Sequence, residues 1–121
     1  MGGRGASGRG GTSASFEQHK GLTYVTQDFG GGYGRVGVIK PGGGEVASIN
    51  WMPRHGGTAE VGDLFVSKGM RRQGIATQLW NRAQKATQGK IAHSANRTEA
   101  GEGFARAIGG NTPRRSSLRP V

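Results

Sequence analysis

The clearest chemical potential lies in the run Leu64-Phe65-Val66-Ser67-Lys68-Gly69-Met70-Arg71-Arg72-Gln73-Gly74-Ile75-Ala76-Thr77-Gln78-Leu79-Trp80. It reads as a buried strand that turns through a basic, glycine-containing loop straight into an amphipathic helix. Such a junction aims several unpaired backbone N–H groups and positive charge at one point, and that point suits a diphosphate.

Two kinds of element must position this loop. After it, Ile75, Ala76, Leu79, Trp80, Ala83 and Ala86 recur at helical spacing, with Arg82 and Lys85 on the other face. This predicts a helix over 73–88 that Gly89 closes. Before it, short runs rich in β-branched and aromatic residues alternate with glycine clusters. They predict strands over 22–28, 33–40, 45–52 and 58–67. Connections of three to five residues permit hairpins and not crossovers, so these strands form an antiparallel meander. A short extended segment near 90–94 and a second helix over 98–108 follow. A strand, helix, strand crossover places that segment parallel to the strand ending at Val66. The predicted fold class is therefore α+β: a meander followed by β-α-β-α, with one parallel strand pair.

Composition narrows the function. The 121 residues include 25 glycines and 32% hydrophobic residues, enough for one small core. Residues 1–15 carry no large apolar side chain after Met1 and predict a disordered Gly/Arg-rich tail; residues 111–121 predict a flexible basic one, leaving 16–110 as the domain. There is no cysteine, which excludes disulfides, thiolate metal sites and a cysteine nucleophile. His19, His55 and His93 lack ligand spacing, so no metal is expected. No apolar run suits a membrane span or a signal peptide, which predicts a cytoplasmic protein. The formal charge is +10, and eight basic but two acidic residues lie between Lys68 and Arg106. Charge of that size favours a polyanionic partner, either nucleic acid or a small phosphorylated ligand.

The pattern Arg71-x-x-Gly74-x-Ala76, preceded by Leu64-x-Val66 and followed by an apolar helix, resembles the acetyl-CoA signature of the GNAT superfamily of N-acetyltransferases. The similarity runs over roughly 22–110. It implies transfer of an acetyl group from acetyl-CoA to a primary amine. Loop amides from Arg72 through Gln73, Gly74 and Ile75 to Ala76 would hold the diphosphate; Gly74 and Ala76 would leave room for it, and Arg71 and Arg72 would supply counter-charge. The pantetheine arm would pair with the main chain of Phe65 and Val66, which requires the parallel strands to splay. Glu60, eleven residues before Arg71, is the implied catalytic base. Asp63 is a second candidate, placed on the opposite face by alternation unless a bulge intervenes. The position of the family's usual general-acid tyrosine holds Ala105, leaving water, His93 or Ser94 to protonate the thiolate. The family also has a further first strand and one or two helices that the tail and Phe16–Lys20 are too short to supply. The resemblance thus implies an N-terminally truncated member, in which a homodimer could complete the acceptor side.

Other signals carry less. Gly32-x-Gly34-x-x-Gly37 matches a dinucleotide fingerprint but runs into a strand, so it reads as a hairpin. Trp51 and Trp80 read as core aromatics, and His93 and Ser94 as residues that orient the end of the last strand. The Arg-Gly units near the N-terminus allow weak, salt-sensitive contact with nucleic acid. The alternative to an enzyme is a GNAT-like module without turnover that binds nucleic acid or protein through its basic face. The Asn96-Arg97-Thr98 sequon lacks a secretory context.

Overall fold

The computed structural model describes residues 13–95, 97, 99–110 and 112–113. The remaining tail residues, and Asn96 and Thr98 of the sequon, lie outside the described residues.

One six-stranded sheet runs in the order β1-β2-β3-β4-β5-β6. Its strands are β1 (Ser13–His19), β2 (Leu22–Gly30), β3 (Tyr33–Ile39), β4 (Glu45–Pro53), β5 (Ala59–Val66) and β6 (Ile91–Ala92). The first five pair antiparallel through hairpins, and β5 pairs parallel with β6. Helix α1 (Ile75–Ala86) makes the crossover between them, and α2 (Glu99–Ile108) follows β6. This is the α+β arrangement expected from the patterning.

The start of the chain departs from expectation. Ser13–Ser15, assigned to the tail, belong to β1, which pairs along its whole length with β2. Small polar residues such as these are read as loop, and the β2 backbone recruits them as an edge strand regardless. The first strand is thus present. Lys20 and Gly21, both with positive φ, turn the chain straight back into β2, and no helix intervenes. The chain is short at that hairpin.

Alternation along the strands gives the sheet one covered and one bare face. Tyr24, Val36, Val38, Ala47 and Ile49 point to one side and are buried beneath Ile75, Leu79, Trp80 and Ala83 of α1. Trp51 and Trp80 belong to this core, 6% and 2% exposed. Phe104 and Ile108 of α2 pack against the same cluster. Along the opposite side, Phe16, Met52 and Phe65 remain 70%, 43% and 51% exposed.

Helix α1 is shorter than predicted at its start because Gly74 takes a left-handed conformation, φ 77°, ψ 9°, and serves as the N-cap. At its other end the Thr87 hydroxyl donates to the carbonyl of Ala83 at 2.8 Å, and Gly89 takes positive φ. A side-chain hydroxyl and a left-handed glycine together satisfy the last carbonyls.

Candidate acyl-carrier cleft and phosphate loop

The parallel pairing of β5 and β6 stops early. Ala59 faces Ile91 and Glu60 faces Ala92, and no further parallel pair occurs among the described residues. Beyond it the chains diverge around a cavity of about 160 Å³, walled by Val61, Gly62, Asp63 and Leu64 on one side. His93, Ser94, Arg97, Gly101 and Phe104 form the other wall. The splay that the resemblance required is therefore present.

At the open end of the splay lies a second cavity of about 260 Å³, lined by Val66, Met70, Arg71, Arg72, Gly74, Ile75, Ala76, Thr77 and Phe104. Phe104 borders both cavities and makes them neighbours. The loop residues expected to act together are thus in one place; Gln73 lies outside this wall and borders another cavity. Phe65, expected beside Val66, points to the bare face, since it pairs with Ser48.

Several features fit this second cavity to a diphosphate. The first intrahelical bond runs from the Gln78 amide to the Gly74 carbonyl at 3.0 Å, so the amides of Ile75, Ala76 and Thr77 precede the helical ladder. No side chain caps them and no acidic residue stands in the first turn. A Cβ on Gly74 would meet no protein atom within 4 Å, so the space above the loop is open to a ligand. Arg71 and Arg72 are exposed, Arg72 at φ 64°. The Nε of Arg71 donates to the carbonyl of Val66 at 3.1 Å, which fixes its guanidinium at the mouth of the cleft. The same bond takes one lone pair of Val66, part of the main chain with which the pantetheine arm was expected to pair.

The carboxylates are arranged by a bulge. Asn50 pairs with Asp63 and Trp51 with Val61, so Gly62 is the extra residue on β5. A Cβ there would come within 2.6 Å of Asn50 Oδ1 and 2.8 Å of Met52 Cε, so a larger residue would have to displace the ends of both side chains. Asn50 Oδ1 accepts the amide of Asp63 at 3.1 Å and holds the bulge. The consequence is that Glu60 and Asp63, opposite Met52 and Asn50, share the bare face. Asp63 borders the cleft. Glu60 does not border it. One oxygen of Glu60 accepts the amide of Ala95 at 2.9 Å, and the other lies 3.7 Å from Arg54 Nε. Glu60 therefore ties the chain leaving β6 to β5 at the root of the splay.

His93 closes the inner end. Its ring stacks on Trp80 at 3.8 Å and 9°, meets Phe104 edge-on, and bonds through Nε2 to the Gly109 carbonyl at 2.8 Å. A carbonyl accepts, so Nε2 is the protonated nitrogen. Burial lowers the pKa of this histidine from its ordinary 6.5 and so favours the neutral ring. These contacts give it the orienting role read from the sequence. Arg97, 6% exposed, donates to Glu102 at 2.8 Å and to the Ser94 carbonyl at 2.6 Å. The hydrogen bond from Arg97 holds the Glu102 carboxyl below its ordinary pKa. Ala105 is buried, and the residues of α2 that reach the cleft are Gly101 and Phe104, which carry no hydroxyl. Ser94 is the hydroxyl residue in its wall.

Sequence reasoning missed Phe104, Asn50 and Met70. A glycine inside a strand pattern, Gly62, is the signal that could have located the bulge.

The acetyltransferase (GNAT) family model matches residues 18–107, and the chain belongs to that family. Solved structures with the same fold include an acetyltransferase of the GNAT family from Staphylococcus aureus, with 17% identity, TM-score 0.61, and coverage of 74% of this chain and 60% of that one. An acetyltransferase from Trypanosoma brucei has 20% identity and TM-score 0.58, covering 75% of this chain and 70% of its own. A GCN5-related N-acetyltransferase from Ralstonia eutropha has 25% identity and TM-score 0.53, covering 75% and 66%. The chain thus spans about three fifths of the staphylococcal protein. No curated protein matches it. Among the described residues no helix is long and apolar enough to cross a membrane, and no cluster of histidine and acidic residues could hold a metal ion.

Proposed function

We propose that this protein is an acyl-CoA-dependent N-acyltransferase that passes an acetyl group from acetyl-CoA to a primary amine. The observation that carries the reading is the early end of the β5–β6 pairing, which opens a cleft onto the uncapped start of α1. Acetyl-CoA supplies an activated thioester, so the acyl carbon bonds to the amine nitrogen as the carbon–sulfur bond breaks and the thiol leaves.

The protein supplies position and charge. The amides of Ile75, Ala76 and Thr77 with Arg71 and Arg72 hold the diphosphate. The free edge of β5 past Glu60 and the ring of Phe104 line the path of the arm. Holding both reactants in one cleft replaces an encounter in solution with a reaction between neighbours. Glu60 and Asp63, on the bare face, take the amine's proton through water; Asp63 is the nearer to the cleft wall. Ser94 is the protein hydroxyl placed to return a proton to the thiolate.

Titration calorimetry with acetyl-CoA tests this. We expect saturable binding, reduced about tenfold or more by Gly74→Val, whose Cβ fills the space above the loop. That variant also loses about 1–2 kcal/mol of stability, since a side chain at φ 77° is strained. Absence of binding at millimolar ligand, or full affinity in Gly74→Val, would refute the assignment. Salt-sensitive binding of nucleic acid without thiol release would instead favour a module that has lost turnover.

A further inference from the structure

A cavity of about 260 Å³ on the other flank of α1 has no role in the scheme above. Its walls include His19, Lys20, Tyr24, Gln73, Ile75 and Gln78. Ile75 borders the phosphate cavity as well, so the two sites meet at the first turn of one helix.

The polar groups around it are donors. Lys20 is exposed at the tip of the β1–β2 hairpin, with three N–H bonds and no acceptor. Gln78 uses Oε1 to accept from Arg82 Nη2 at 3.3 Å, which leaves its NH₂ group as the end that can donate elsewhere. Gln73 adds a second amide and His19 a ring nitrogen. The acidic neighbour, Glu17, is paired with Arg82 and so does not oppose an anion here. Lys20 also occupies a position suited to another residue. The turn Lys20-Gly21 has φ 51° and 79°, and such a pair favours asparagine or glycine.

Coenzyme A carries a diphosphate and, on the other side of one ribose, a phosphomonoester. The fold offers one cavity on each side of a single helical turn whose amides no side chain caps. We propose that Lys20, with His19, Gln73 and Gln78, forms a subsite for the 3′-phosphate of coenzyme A. The subsite rests on the acyl-CoA reading and adds to it a means of telling coenzyme A from dephospho-coenzyme A.

The test is calorimetric titration of the full chain with each of these two ligands, together with Lys20→Gly. Glycine suits the turn, so the variant should keep or raise its melting temperature. Coenzyme A should bind about tenfold more tightly than the dephospho form, as a charge-assisted contact predicts. Lys20→Gly should remove that difference by weakening coenzyme A alone, and 3′,5′-ADP should compete with coenzyme A in the unmodified protein but poorly in the variant. Equal affinity for the two ligands in the unmodified protein, or equal weakening of both by Lys20→Gly, overturns the subsite and leaves the cofactor reading standing. If neither ligand binds, the cofactor reading falls and the subsite with it.

Discussion

Two neighbouring rows of residues cross the sheet and meet opposite fates. Glu17, Tyr24, Val38, Ala47 and Val66 are register partners on the face under α1, whereas Phe16, Val25, Gly37, Ser48 and Phe65, one residue along, are partners on the other. Tyr24, Val38 and Ala47 are at most 1% exposed, while Phe16 and Phe65 stand more than half exposed. A buried aliphatic or aromatic side chain contributes about 1.5–3 kcal/mol through removal from water. Stability therefore resides on one side of the sheet, and the other side, which bears Glu60 and Asp63, is open. Separation of this kind lets substitutions on the bare face alter chemistry while sparing the fold.

The sharpest way to break the contrast is Trp80→Ala on the covered side. The indole is 2% exposed and stacks on His93, so truncation should cost about 3–5 kcal/mol in urea unfolding. A loss below about 1 kcal/mol would mean that the core is not one-sided. On the bare side the largest expected effect is on rate. Glu60→Gln keeps an oxygen to accept from Ala95, and should lower thiol release about a hundredfold with little change in stability. Asp63→Asn should act in the same direction. If both variants retain full rate, neither carboxylate serves as the base.

A smaller effect separates the faces by pH. Burial depresses the pKa of His93 below 6.5, so between the folded and the unfolded value the unfolded chain binds more protons. Its contribution to stability is complete above 6.5 and is lost as pH falls through that value toward the folded pKa. Thermal melting from about pH 7 to pH 5 should show a decline that is shallower in His93→Gln, in which an amide can still donate to Gly109. An identical slope in both proteins would remove His93 from the account.

The meander, the crossover helix and the basic loop before it were legible because each has a local signature: period-two runs, a 3.6-residue period, and glycines where φ must be positive. The six-residue pattern at Arg71 then located the helix start to within a few residues. Long-range pairing was harder to read. Ser13, Ala14 and Ser15 have no strand signature of their own and become strand because β2 offers them an unpaired edge. Glu60 and Asp63 appeared to lie on opposite faces, and one extra residue at Gly62 reverses that parity. Phe104 could be placed on an apolar helix stripe, but its position between two cavities depends on how α2 packs beside β5.

The least perturbing substitution is the most diagnostic of the division between faces. Phe65 lies in β5 one residue from Val66, yet 51% of it is exposed, and its neighbour across the strands is Ser48. Phe65→Ser should change unfolding free energy by no more than about 1 kcal/mol, since little packing is lost. The ring sits on the same face as Asp63, so any amine that docks there with an apolar portion loses a contact. The expected outcome is a raised KM for the acceptor, an unchanged KM for acetyl-CoA and nearly native stability. A change in the acetyl-CoA term instead would place the cofactor arm on the bare face, and the two sides of the sheet would then share one function.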